Sequence, residues 1–140
     1  MKIITWQENY NTGIAEIDQQ HMKLVAILNG LQNAISSQLE EMIITDVLNS
    51  LEKYTSYHFE TEERLMAESE YPDQTAHEKK HSDFGDKVKY LKENNDNGRN
   101  VSAEEIVKML SDWLLDHILN DDKKLAQSLL LKAQKIMNRS

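Results

Sequence analysis

The chain contains five histidines, His21, His58, His77, His81 and His117, and each continues an apolar stripe at helical spacing. His21 precedes Leu24, Val25 and Leu28 by three, four and seven residues. His58 follows Leu51, Tyr54 and Thr55 by seven, four and three. His77 and His81 lead into Phe84 and Val88, and His117 follows Leu110, Trp113 and Leu114. Any one of these, taken alone, reads as an ordinary core histidine bonded to a backbone carbonyl. Five together do not, because a buried polar nitrogen without a partner costs about 1–3 kcal/mol. A bound metal removes that cost.

Carboxylates stand at matching positions. Glu62 is one helical turn after His58 on the same face, and His77 and His81 repeat that four-residue spacing as a pair able to share one ion. After His117 come Asn120, Asp121 and Asp122. Regular helix geometry favours Asp121, since a residue five on is rotated by roughly 140°. A widened turn or a helix end would bring Asp122 inward instead. Periodicity leaves the choice open. Five nitrogens and two carboxylates are too many donors for one ion, whereas two ions bridged by the carboxylates use them all. Imidazole with carboxylate suits zinc, iron or manganese. Cysteine is absent, so thiolate zinc sites, iron–sulfur clusters, disulfides and cysteine nucleophiles are excluded.

Four helical segments are needed to position these groups. The first is expected from Gln19 to Leu39 with Asp18 as its N-cap, and carries Leu24, Val25, Leu28, Leu31 and Ile35 on one face. The second runs from Glu41 to Ala67, and Glu70-Tyr71-Pro72 breaks it. The third spans Pro72 to Lys92, with Pro72 in its first turn. Residues 93–100 read as a loop. Ser102-Ala103-Glu104-Glu105 then forms a capping box ahead of Ile106, Leu110, Trp113 and Leu114. Beyond Asn120, Leu125, Leu129, Ala133 and Ile136 mark a further amphipathic helix. The expected architecture is all-α: an antiparallel up-down-up-down four-helix bundle in a single domain. Residues 1–18 form an N-terminal arm, 19–120 the bundle and 121–140 an amphipathic tail.

Only four glycines and one proline occur in 140 residues, as long helices with few connections require. Sixteen basic against twenty-four acidic side chains give a net charge of -8, which argues against nucleic acid or an anionic membrane as partner. No apolar run approaches the length of a membrane span. The opening Met1-Lys2-Ile3-Ile4-Thr5-Trp6 turns polar too soon for a secretory signal. A cytoplasmic, monomeric protein is the expectation.

The order of these motifs resembles that of the hemerythrins, in their single-domain bacterial form. An isolated histidine, His-x-x-x-Glu, His-x-x-x-His and His-x-x-x-x-Asp read here as His21, His58 to Glu62, His77 to His81, and His117 to Asp122. Trp6, Gly13-Ile14 and Ile17-Asp18-Gln19-Gln20-His21 are similar to the family's N-terminal signature. The resemblance covers residues 6 to 122, and the tail lies outside it. It implies two non-haem iron ions with a bridging oxo or hydroxo group. His77, His81 and His117 would bind one iron, His21 and His58 the other, and Glu62 and Asp122 would bridge them. It thereby favours Asp122 over Asp121.

The implied function is reversible dioxygen binding, for storage, delivery or sensing, with an unidentified protein partner for delivery and no enzymatic turnover. Two ferrous ions, two carboxylates and a hydroxide sum to one positive charge. That sum is unchanged if dioxygen takes one electron from each iron and the hydroxide proton, as a low-dielectric core requires. The iron with two histidines has the open position, and Phe59, Trp113 and Leu114 are the expected apolar wall of the oxygen pocket.

Rival readings remain. A ferritin-like di-iron enzyme uses two Glu-x-x-His motifs, and this chain has only Glu78 to His81. A weak peroxidase or oxidase would belong to the same class. An oxygen- or iron-responsive sensor would have to signal through the tail, and a metal-free interaction bundle would leave the histidines unexplained.

Overall fold

The computed structural model describes residues 4–138. A short 3-10 turn, Glu8–Tyr10, precedes α1 (Ala15–Ser36), α2 (Glu40–Ser69), α3 (Gln74–Asp96) and α4 (Ala103–Asp116). A six-residue π-helical segment, His117–Asp122, then joins α4 to α5 (Lys123–Met137). α1 packs against α2 and α4, and α2 against α3, as in an up-down-up-down bundle. No strand occurs among the described residues, and no helix is long and apolar enough to cross a membrane.

The interior has two unlike halves. Leu28 and Leu31 of α1, Leu48 and Leu51 of α2, Val88 of α3, and Ile106 and Leu110 of α4 form a hydrocarbon core. The histidines lie early in α1 and α3 but late in α2 and after α4. Alternating helix direction therefore brings all five to one level at the opposite end. Beyond them Met66, Tyr71 and Leu125 close that end with a second apolar cluster, and Leu129 packs against it.

Several boundaries differ from the sequence-based expectation. α1 begins at Ala15, four residues before the expected start, so Asp18 is inside the helix rather than its N-cap. Its carboxylate instead accepts hydrogen bonds from the Thr12 amide at 2.8 Å and the Thr12 hydroxyl at 2.7 Å, which fastens the arm to the helix. Pro72 lies in the turn before α3, whose first residue is Gln74. α3 continues to Asp96 through half of the expected loop, because Gly98 at φ 75° provides the left-handed residue on which the helix closes. Ser102 caps α4 by accepting from the Glu105 amide, but the carboxylate that approaches its hydroxyl belongs to Glu104. α5 continues the helical path of α4, and its first turns bury Leu125 and Ala126.

α2 ends on Glu70 at φ 54°, with the Tyr71 amide donating back to the Met66 carbonyl at 3.0 Å. α1 ends similarly on Gln38 at φ 58°, with the Leu39 amide donating to the Ala34 carbonyl. Both closures place a residue with a Cβ where glycine has no steric penalty. Glu70→Gly and Gln38→Gly are each expected to stabilise the fold by about 0.5–1 kcal/mol, read as a higher melting temperature. A loss of stability in both would show that these positions are not strained.

Candidate metal centre

The expected donors converge at the histidine level. His21, His58, Glu62 and Asp122 are fully buried or nearly so, and His77, His81 and His117 are no more than 4% exposed. One oxygen of Glu62, Oε1, has four imidazole nitrogens around it: His58 Nε2 at 3.3 Å, His77 Nε2 at 3.2 Å, His81 Nε2 at 3.0 Å and His117 Nε2 at 3.2 Å. The two oxygens of Asp122 face different partners. Oδ1 lies 2.8 Å from His117 Nε2 and 3.3 Å from His77 Nε2, while Oδ2 lies 2.5 Å from His21 Nε2 and 3.1 Å from His58 Nε2.

Two overlapping donor groups result. Glu62, His77, His81, His117 and Asp122 form one, and His21, His58 and Asp122 form the other. Asp122 belongs to both, one oxygen toward each.

The π-helical segment accounts for the position of Asp122. An i→i+5 turn returns the residue five after His117 to the face that His117 occupies. Asp122 consequently points inward. Asp121, which regular helix geometry favours, is turned outward and accepts from the Lys80 ammonium at 2.7 Å. Its other oxygen is 3.6 Å from His117 Nδ1.

Hydrogen bonding by the protein alone does not satisfy this arrangement. Four ring nitrogens cannot all donate well to one carboxylate oxygen that has two lone pairs. Glu62 Oε2 is buried with no hydrogen-bond partner at all. His58 Nδ1 lies 2.8 Å from the Gln20 side-chain oxygen, and His81 Nδ1 lies 3.4 Å from Glu63 Oε1. Because those outer oxygens can only accept, the outer nitrogens carry the protons, and a neutral ring then presents its Nε2 lone pair to the centre. Inward lone pairs, two buried carboxylates and outward N–H groups are what a cation site with a supporting shell requires. The all-nitrogen-and-oxygen donor set fits iron.

The electrostatics of the metal-free protein point the same way. Burial and the charge of Asp122 raise the Glu62 pKa, but His58 and the hydrogen bonds from His117 and His77 outweigh them and hold it at about 2. Burial likewise raises Asp122, yet the His117 charge and its hydrogen bonds keep the group well below the usual range. Burial lowers His77, but bonds to Asp122 and Glu62 bring it up to about 9. His117 is also raised well above its ordinary value against burial, mainly by the Asp122 charge. For His81 burial wins, and its pKa is lowered. The two carboxylates therefore remain anionic and draw positive charge into the core, as protons when no metal is bound.

Two of the three expected pocket residues stack on donor rings. Phe59 stacks on His81, with ring centroids 4.0 Å apart, and Trp113 stacks on His117 at 4.4 Å. Trp113 also stacks on Phe84 at 4.0 Å and lines an open groove of about 630 Å³ between α3 and α4. Leu114 is fully buried. The sequence marks Gln20 only within the N-terminal signature and gives no role to Thr61 or Glu63, because their partners lie on other helices and no spacing rule assigns them.

The comparisons agree with this geometry. The family model described as the hemerythrin HHE cation binding domain matches residues 12–129, seven residues past the point where the sequence resemblance stopped. A bacteriohemerythrin of Stenotrophomonas maltophilia is 36% identical over 126 residues, covering 90% of this chain and 81% of the relative. One from Pseudomonas aeruginosa is 38% identical over 122 residues, covering 87% and 78%. Myohemerythrin of Theromyzon tessulatum is 29% identical over 119 residues, covering 85% and 88%. Crystal structures of hemerythrin variants with one leucine replaced by alanine or tyrosine share the fold at a TM-score of 0.80 and 24% identity, over 92% of this chain and 98% of theirs. By sequence match and by architecture, the chain belongs to the hemerythrin family.

Proposed function

We propose that this protein binds dioxygen reversibly at a non-haem di-iron centre. In this reading His77, His81 and His117 hold one iron, His21 and His58 the other, and Glu62 and Asp122 bridge them. The observation that carries it is Asp122, buried, with one carboxylate oxygen facing His77 and His117 and the other facing His21 and His58. Such a centre would supply the electrons for reversible dioxygen binding, one from each metal.

The protein's own residues do the rest. Two carboxylates held anionic lower the positive charge of the pair, and neutral imidazoles add none. Few anionic donors stabilise high-valent iron poorly, which favours carrying over oxidative turnover. The donor group of His21 and His58 is the smaller of the two, so a metal held there would keep room for an exogenous ligand. Leu114 walls that space with hydrocarbon. Phe59 and Trp113, stacked on His81 and His117, brace those rings and keep water from the rest of the centre. Exclusion of water and protons by these residues would limit irreversible oxidation of the centre. The role is storage, delivery or sensing, in a cytoplasmic setting.

Ferrous protein prepared without air is expected to take up two irons per chain. It should develop a visible absorption band on exposure to oxygen and lose that band on deoxygenation. Bleaching to a ferric form with no recoverable band, or steady consumption of peroxide or an organic substrate, would count against a carrier. Leu114→Ala is expected to hasten the irreversible oxidation and to cost about 2–5 kcal/mol of stability through the cavity it leaves.

The pH dependence follows from the shifted groups. His77 is raised from 6.5 to about 9, so its protonated form stabilises the metal-free fold fully below pH 6.5. That contribution is lost as pH rises through 9. Metal displaces the same proton. Ferrous binding is therefore expected to tighten with pH over this window and, near neutrality, to release about one proton or more per chain. Calorimetry in buffers of different ionisation enthalpy measures that number, and a pH-independent affinity with no proton release would contradict it.

A further inference from the structure

Gln20 sits one residue before a proposed ligand but does not face the metal centre. It is buried at 7% exposure, on the outer side of the His58 ring. Its amide joins a hydrogen-bond chain that crosses from α1 to α2. The Thr61 hydroxyl donates to the Tyr57 backbone carbonyl at 3.1 Å. The Gln20 amide nitrogen donates to that hydroxyl oxygen at 2.9 Å. His58 Nδ1 stands 2.8 Å from the remaining atom, the Gln20 side-chain oxygen.

The direction of this chain is set at its far end. A backbone carbonyl can only accept, so the single hydroxyl proton of Thr61 is committed to Tyr57, and toward Gln20 the hydroxyl can only accept. The NH2 group of Gln20 must then face Thr61 and its oxygen must face His58. The imidazole can meet that oxygen only by donating from Nδ1. In a neutral ring the other nitrogen, Nε2, is left with a lone pair, and Nε2 is the atom that approaches Asp122 and Glu62.

We infer that Gln20 is a positioning residue, which together with Thr61 keeps the His58 proton on Nδ1 and the Nε2 lone pair turned into the metal centre. This deepens the di-iron reading and rests on it for the identity of the metal. The lock itself is a property of the metal-free protein. It also differs between the two histidines of the same donor group, since His21 Nδ1 is buried with no hydrogen-bond partner. It differs again from His81, whose outer nitrogen lies beside a carboxylate, Glu63. An amide orients a ring without adding charge, so His58 is held without the extra electron donation a carboxylate gives.

The test uses the full chain, with ring-nitrogen NMR of the metal-free protein and titration with ferrous ion under nitrogen. In the unaltered protein, at a pH where the His58 ring is neutral, its single proton is expected on Nδ1. Gln20→Leu removes the acceptor, and Thr61→Val frees the amide to turn its NH2 group toward His58. Each is expected to move the proton toward Nε2 and to weaken ferrous binding at one of two positions by about 10–100-fold. Gln20→Glu keeps an acceptor in place and is expected to restore both the tautomer and the affinity. The Thr61 hydroxyl bonds to Gln20 and Tyr57 rather than to His58, so Thr61→Val acts on the tautomer through the Gln20 amide, and this variant serves if Gln20→Leu fails to fold. Unchanged tautomer and affinity in both variants would overturn the inference while leaving the di-iron reading intact. An unaltered protein with His58 protonated on Nδ1 that takes up no ferrous ion would support the lock and sink the di-iron reading.

Discussion

Two carboxylates with no access to water dominate the energetics of this molecule. Glu62 and Asp122 are each 0% exposed, and an ionised carboxylate in so dry a place is tolerated only when positive charge is beside it. The five imidazoles can bring that charge as protons or can hold cations that do. The Nε2 positions, which crowd around carboxylate oxygens at ion-pair distances, make sense only with something positive among them. A bundle whose centre contained the same residues and no cation would be strained by its own donors.

The architecture is fitted to this demand. One half of the interior is hydrocarbon, built on Leu28, Leu31, Leu48, Leu51, Val88, Ile106 and Leu110, and it supplies the apolar burial that polar donors cannot. The other half is closed at its far end by Met66, Tyr71 and Leu125. α5 provides part of that closure, and its Lys132 ammonium donates to the Ser69 carbonyl at 2.6 Å, tying it to the end of α2. The centre is thus sealed between two apolar layers. Arm and helix are joined on the same level by the Thr12–Asp18 contacts, close to His21.

Positioning extends beyond the residues that face the centre. Stacked aromatic rings hold His81 and His117 in plane, whereas His58 is oriented through a neutral amide and a hydroxyl. Different partners on chemically similar rings give the two donor groups different surroundings.

Much of this was legible in the amino-acid order. Histidines on apolar stripes, the four-residue spacings His58–Glu62 and His77–His81, and the scarcity of glycine and proline specify helices with polar donors on their inner faces. These are local, periodic signals, and a helix face is a local property. The positions of helix ends were less legible. Gln38 and Glu70 adopt left-handed conformations without being glycine, and α3 continues past Asn94 and Asn95 to reach Gly98. The orientation of Asp122 was not legible by period at all. It depends on a π-helical turn, a backbone state that packing imposes and that composition does not announce. Cross-helix partners were hidden for a related reason. Gln20 meets His58 thirty-eight residues away, and distance along the chain carries no record of which side chains will face one another once the helices dock.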